Sequence, residues 1–393
     1  MPKLETRPLR VFIYVQHLSG VGHMVRCQQI GLALAEQHHV LILDGGRAIP
    51  FPPPLEPVSV PALVRRSGEL VPLDGALDLP QAFELRQQQL QAMLSAQCPD
   101  VVLVEHFPFS KWELAEEIQT LAECARQVNP AVKIIASLRD VSLRTRHEAR
   151  DDYEQRVLQY LQQQFDGLLV HADPKLCQLG DYFSASTQIE VPVFHTGIVA
   201  AGVEPLDGET KRRVAGAGEY LVASIGGGAD RGQLLLRVVR AWHQLVAAGE
   251  TGRRRLLLFC GLDGCPPSTA ELVESEPSIV MMGFDPDFKR WLLGATLSIS
   301  CAGYNTCANL LMTRTPALLL PNPAMSDQLE RTRLMTDSGV AVGVPTVSES
   351  EDRLAALILA NLDRAKTTHN IRLDGAGQSA RCIERWVSGL AGQ

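Results

Sequence analysis

Ten short apolar runs constrain this chain more than anything else in it. "VFIYV" (11–15), "VLIL" (40–43), "VVLV" (101–104), "KIIASL" (133–138) and "GLLVH" (167–171) lie in the first half. "YLVASI" (220–225), "RLLLFC" (255–260), "SIVMMG" (278–283), "LSIS" (297–300) and "ALLLP" (317–321) lie in the second. Runs this short and this continuously apolar read as strands buried on both faces. Helical patterns separate them. The first, 23–36, carries Ile30, Leu32, Leu34 and Ala35 on or near one face, and the second, 81–96, carries Phe83, Leu85, Leu90 and Met93; others fall at 112–127, 231–247, 286–294, 304–313 and 326–337. Strands alternating with helices make a parallel sheet with helices on its faces.

The alternation stops at the polar, Gly-rich stretch 200–218 and then restarts. A chain of 393 residues is also too long for one typical core. The expected fold is therefore α/β, with two tandem Rossmann-like domains, 1–203 and 204–377, facing a central cleft. Residues 378–393 are expected to form a C-terminal helix, with Ala380, Ile383, Trp386 and Val387 at helical spacing, that packs back on the domain junction. The proline tract "IPFPPPLEPVSVP" (49–61) cannot be helix and makes a poor central strand. It reads as a long surface loop, either a passive connector or one wall of a binding pocket.

Composition excludes several classes. The net charge of −7 argues against a nucleic-acid binder. No apolar run approaches the ~20 residues that span a bilayer. The opening "MPKLETRPLR" lacks the apolar core of a secretory leader, so a cytoplasmic protein is expected. Nine cysteines are scattered without a C-x-x-C, and neither Cys260/Cys265 nor Cys301/Cys307 is followed by paired histidines. They read as reduced thiols, with no metal site.

Ligands of open α/β sheets bind beyond the carboxyl ends of the strands, so the loops after the apolar runs matter most. After the first strand comes "QHLSGVGHMVR". Gly20 and Gly22 begin a dinucleotide fingerprint, but Val25 stands where its third glycine belongs. A second reading is a plain turn with His23 at the start of a helix. The third is catalytic: the glycines turn the chain sharply and His23 takes a proton near neutral pH, kept neutral by the positive end of the helix. Glu105, His106 and Asp140 end strands of the same half, with either a structural or a functional role. In the second half, Gly226, Gly227 and Gly228 open the backbone for an anion. Phe284 follows Gly283, either as core or as a surface on which a base lies. Most specific is "SCAGYNTCANLLMTRTPALLLPNPAMSDQLERT" (300–332). Ala302-Gly303 turns into a helix near Asn305 and Thr306, whose free N–H groups suit phosphate. Asp327 and Gln328 can bind sugar hydroxyls, or Ser326 or Asp327 is only an N-cap.

The order Gly-x-Gly-His, Gly-Gly-Gly, Gly-Phe, Ala-Gly-x-x-Thr and Pro-x-x-x-x-x-Asp-Gln resembles the GT-B glycosyltransferases. It is most similar to family 28, whose relative of known role adds N-acetylglucosamine in peptidoglycan assembly, and to a related group of bacterial glycosyltransferases. "PDVVLVEHFPF", "SLRD" and "VHADP" resemble that group specifically. The resemblance implies that the second domain binds a nucleotide-sugar donor, UDP-linked, and the first an acceptor, lipid-linked or a small metabolite. It implies that His23 is the base, Gly303 and Thr306 the diphosphate loop, Gly283 and Phe284 the base-binding turn, and Asp327 and Gln328 the sugar contacts. The family's ribose-binding glutamate is replaced here by Asn309, which is shorter and uncharged and so holds a hydroxyl less strongly.

The resemblance implies inverting transfer without a metal or other cofactor. The departing diphosphate is stabilised by backbone N–H groups at Gly303 and Thr306. The rivals are a nucleotide-sugar hydrolase of the same fold, which the "GVGHMVRC" loop also resembles, a nucleotide-sugar 2-epimerase, and a nucleotide-binding protein with a degenerate site. A lipid-linked acceptor would bring the protein to the inner face of the membrane.

Overall fold

The computed structural model describes residues 7–18, 20–47, 49–140, 149–224, 231–261, 264–285, 288–322, 325–344 and 350–389. The chain divides into two compact units, Met1–Ala200 with Asp374–Gln393, and Ala201–Leu373. These divisions fall a few residues before the boundaries read from the sequence. Each unit is built on its own parallel sheet.

In the first unit the strands are β1 (Arg10–Tyr14), β2 (His39–Asp44), β3 (Glu56–Ser59), β4 (Leu63–Arg66), β5 (Glu69–Pro72), β6 (Val101–Glu105), β7 (Lys133–Arg139), β8 (Gly167–His171) and β9 (Val193–His195). Seven pair in the order β3-β2-β1-β6-β7-β8-β9, while β4 and β5 form a separate hairpin. All pairs in the large sheet are parallel. β1 and β6 have both neighbours and helices on both faces, which is why their residues are almost uniformly apolar. The core joins these strands to Met24, Ile30 and Leu34 of the helix Gly22–Ala35 and to Ala380, Cys382 and Ile383 of the final helix. That final helix, Gly375–Val387, belongs to the first unit. Trp386 packs so closely on Gly167 that a Cβ there would lie 2.8 Å from its ring.

The second unit holds β10 (Tyr220–Ser224), β11 (Arg255–Phe259), β12 (Ile279–Met282), β13 (Leu297–Ser300), β14 (Ala317–Leu319) and β15 (Ala341–Gly343), in the order β12-β11-β10-β13-β14-β15. Trp242, Leu235 and Val238 of the helix Arg231–Ala247 seal one face of this sheet. The strand order reverses between β1 and β6 in the first sheet and between β10 and β13 in the second. Those reversals leave a crevice beyond the strand ends in each unit.

Two expectations need correction. The tract 49–61 is not all loop, because residues 56–59 form β3. It is the edge strand, paired only with β2, so the missing N–H of Pro57 costs little. The cysteines are not all reduced: Cys260, at the end of β11, is bonded to Cys265. Their Cα atoms, five residues apart in sequence, lie 4.9 Å apart, within the usual range for a disulfide, and no C-x-x-C spacing is needed for that.

Candidate functional site

His23 is the second residue of the helix Gly22–Ala35, which follows β1 across the Gly20–Gly22 turn. Arg26 and Cys27 lie three and four residues on, one turn along the same face. All three side chains converge on Glu105, the last residue of β6. His23 Nδ1 is 2.9 Å from Glu105 Oε1. Arg26 Nη2 forms an ion pair with the same oxygen and lies 3.3 Å from His23 Nδ1. Cys27 Sγ is 3.6 Å from Oε2. Glu105 is in register with Ser137 on β7, and Ser137 Oγ donates to Oε2 at 2.7 Å. The Glu105 and Arg26 side chains are buried, whereas the His23 side chain keeps 22 % of its surface. Among the described residues, His23 Nε2 has no hydrogen-bond partner.

The segment after β6 closes around this pair. His106 and Lys111 both take left-handed backbone conformations, at φ 66° and 62°, and the Phe107–Pro108 bond between them is cis. Left-handed non-glycine residues cost about 1–3 kcal/mol each and concentrate at functional sites. The His106 ring sits 5.1 Å from that of His23. Lys111 Nζ reaches the Glu105 carbonyl at 3.4 Å.

These neighbours set the protonation states. Burial first, then Lys111, Arg26, His106 and Arg139, hold the His23 pKa well below the usual range, so the ring is neutral. Burial and the nearby cations push in the same direction as the helix end expected from the sequence. Burial, with Arg26 and Arg139, pushes Lys111 down to about 7. Burial raises the Cys27 thiol to about 11, so it stays protonated beside the carboxylate. A neutral imidazole with Nδ1–H on a carboxylate and Nε2 open is the arrangement of a general base.

Of the residues named from the sequence, the structure brings His23, Glu105 and His106 together beside the glycine turn. Asp140 is buried just beyond β7. Sequence reasoning missed Arg26, Lys111 and Ser137. Ser137 carried a signal, since it is a polar residue within an otherwise apolar strand. Arg26 and Lys111 carried none, because surface helices and loops are rich in both.

In the second unit, Gly303 caps the helix Tyr304–Thr313 without a side-chain hydrogen bond. Its φ of −68° suits any residue, and an added Cβ would meet only Thr306 Oγ1 at 3.7 Å. Among the described residues, neither backbone nor packing requires glycine there. Gly283 is likewise uncrowded, and Phe284 beside it is 52 % exposed, which removes the core reading. Asn305, Thr306 and Asn309 lie half-buried on the same helix. The helix Ser326–Asp337 begins after Met325, so Asp327 is not its N-cap. Asp327 instead pairs with the buried Arg331 at 3.3 Å, and Arg331 also donates to the Ala302 carbonyl at 2.7 Å. One arginine therefore ties the Ala302–Gly303 turn to Asp327. Gln328 Oε1 accepts the Asn322 N–H at 3.0 Å. Gly226, Gly227 and Gly228 lie outside the described residues.

Two parallel α/β units of this topology define the GT-B fold. Solved structures share it over nearly the whole chain. They include Medicago truncatula UGT71G1 complexed with UDP-glucose (TM-score 0.62, 12 % identity, all of both chains). A UDP-N-acetylglucosamine 2-epimerase candidate from Listeria monocytogenes has a TM-score of 0.61 at 13 % identity, over 98 % of both chains. The glycotransferase of kitacinnamycin has a TM-score of 0.58 at 16 % identity, over 97 % of this chain and 100 % of that one. Residues 223–376 match the glycosyltransferase family 28 C-terminal domain. A further match is to the UDP-N-acetylglucosamine–N-acetylmuramyl-(pentapeptide) pyrophosphoryl-undecaprenol N-acetylglucosamine transferase of Prochlorococcus marinus (strain NATL1A). It is 30 % identical over 74 residues, 19 % of this chain and about a fifth (21 %) of that relative. Among the described residues, no helix is long and apolar enough to cross a membrane.

Proposed function

We propose that the protein is an inverting glycosyltransferase that moves a sugar from a UDP-sugar to an acceptor hydroxyl and needs no metal. The observation that carries this reading is the His23–Glu105 pair at the strand-order reversal of the first sheet, with Nε2 unpartnered among the described residues. His23 Nε2 takes the acceptor's hydroxyl proton as the oxygen attacks the anomeric carbon. Glu105 accepts the Nδ1–H and stabilises the imidazolium that forms. The bond from the anomeric carbon to the diphosphate breaks on the opposite face of the sugar. The leaving charge is met by the backbone N–H groups at the start of the helix Tyr304–Thr313, beside Gly303 and Thr306.

The family 28 match over the second unit supports donor binding there, as does the open space at Gly303. The Prochlorococcus relative's name describes a pyrophosphoryl-undecaprenol acceptor. Lipid-linked hydroxyls are accordingly one acceptor class to offer, and small metabolites the other. A lipid-linked acceptor would place the protein against the inner face of the membrane.

The test is a panel of UDP-sugars given to purified protein with and without cell extract, read by UDP release and product mass. Acceptor-dependent transfer supports the proposal. Free sugar and UDP without acceptor indicate a hydrolase, and failure to bind any nucleotide overturns the reading. His23→Ala is expected to lower transfer by about 10²- to 10⁴-fold, the usual contribution of a positioned base. Full activity in that variant refutes the assignment.

A further inference from the structure

Glu105 is held from behind as well as in front. Its Oε1 takes His23 and Arg26, and its Oε2 takes Ser137 Oγ at 2.7 Å. Ser137 Oγ in turn lies 2.9 Å from His171 Nε2, and His171 Nδ1 lies 2.9 Å from Thr196 Oγ1. Ser137, His171 and Thr196 are all buried. A chain of hydrogen bonds therefore runs from the accessible ring of His23 into the interior of the sheet. Register explains it. Ser137 is the β7 partner of Glu105, and His171 stands two residues beyond Leu169, the β8 partner of Ser137. In a parallel sheet those positions share one face.

Counting hydrogens fixes the direction of this chain. The Arg26 guanidinium keeps Glu105 ionised, and an ionised carboxylate only accepts. Ser137 has one hydroxyl proton, and a bond to an anion is roughly twice as strong as a neutral one, so the proton goes to Oε2. Ser137 Oγ must then accept from His171, which requires a proton on Nε2. Burial and Arg26 hold the His171 pKa well below the usual range, so the ring carries one proton and Nδ1 accepts. In this polarity the Thr196 hydroxyl donates to Nδ1 in place of the Gly197 carbonyl at 2.8 Å or the Val170 carbonyl at 3.4 Å, both neutral acceptors. The reverse polarity would keep one such neutral bond but set a Ser137 lone pair against the carboxylate.

We infer that His171 is a positioning residue for the reaction. As its Nε2–H tautomer it donates to Ser137, Ser137 donates to Glu105, and the carboxylate stays charged and turned toward His23 Nδ1. Its consequence for catalysis rests on the proposed role of His23, but the polarity of the chain does not.

The test uses the full-length protein labelled with ¹⁵N-histidine, with His171 assigned by comparison with His171→Gln. Two-bond ¹H–¹⁵N spectra report which ring nitrogen carries the proton. A protonated Nε2 is expected, and an unprotonated Nε2 overturns the inference. Ser137→Ala is expected to lower kcat about tenfold, with donor KM unchanged, through loss of one charge-assisted hydrogen bond. It should also weaken the Nδ1–H preference of His23, and Ser137→Thr, which keeps the hydroxyl, should restore both. Unchanged kcat and an unchanged His23 spectrum in Ser137→Ala refute the positioning role. If His23→Ala retains transfer while His171 Nε2 is protonated, the base assignment fails and the chain's polarity stands. The unsubstituted protein's spectrum decides that polarity even if a variant does not fold.

Discussion

Glu105→Gln preserves shape and removes charge, so it separates the two tasks this carboxylate performs. His23 Nδ1 sits 2.9 Å from Oε1, which puts the centres of an imidazolium and a carboxylate about 4 Å apart. At an effective dielectric of about 20, that attraction is about 4 kcal/mol. It is realised only as His23 takes the proton, so about half to all of it appears in the barrier. The expected loss is roughly 30- to 1,000-fold in kcat. The same substitution removes the main counter-charge of buried Arg26, and breaking such a pair costs about 3–5 kcal/mol of stability. The assay is steady-state UDP release at saturating donor, at a temperature where urea titration shows the variant folded. The acid limb of kcat/KM reports His23 and should move to lower pH, because the imidazolium loses its partner. A kcat within threefold of the unsubstituted protein, with the acid limb unmoved, would refute the pairing as catalytic and leave Glu105 a structural anchor.

Gly303→Ala should change stability by less than about 1 kcal/mol, the difference between Gly and Ala at an N-cap, because its Cβ has room. It should weaken UDP binding at least about tenfold by occupying the anion's approach, measured by titration calorimetry; tight binding in this variant would move the diphosphate elsewhere. Acid should destabilise the fold as pH falls through the ordinary histidine range. His17, His23 and His171 all have lowered pKa values in the folded state, so the unfolded chain binds more protons below about pH 6.5 and stability falls as pH drops. Each contributes up to about 1.4 kcal/mol per pH unit until its folded pKa is reached. Urea midpoints at pH 7 and pH 5.5 measure this, and equal midpoints would contradict the buried neutral histidines.

The strands and most helices were legible because a doubly covered parallel sheet demands continuous apolar runs, and few other folds produce ten of them in two series. β3 and the β4–β5 hairpin were not, since edge positions tolerate proline and polar residues and so leave a weak pattern. Short β15 and the helix Glu351–Asn361 were missed for the same reason, being brief or marginal in periodicity. At the site, His23 could be found because glycine turns isolate it at a helix start. Glu105 was visible as an acid ending an apolar strand, but its partner was not. Phe284 shows the limit from the other side, because a phenylalanine after a strand reads equally as core until its surroundings are known.

The sequence by itself determined that this chain forms two parallel sheets and which loops stand at their carboxyl ends, because hydrophobic periodicity and glycine placement act locally along the chain. Only the tertiary structure decided that Glu105 meets His23 across 82 residues and that Ser137 and His171 stand behind it. It alone tied Arg331 to the turn at Gly303. Those pairings depend on strand order and register, which set which polar ends become neighbours. Burial then sets their charge, and neither quantity is written in any single stretch of residues.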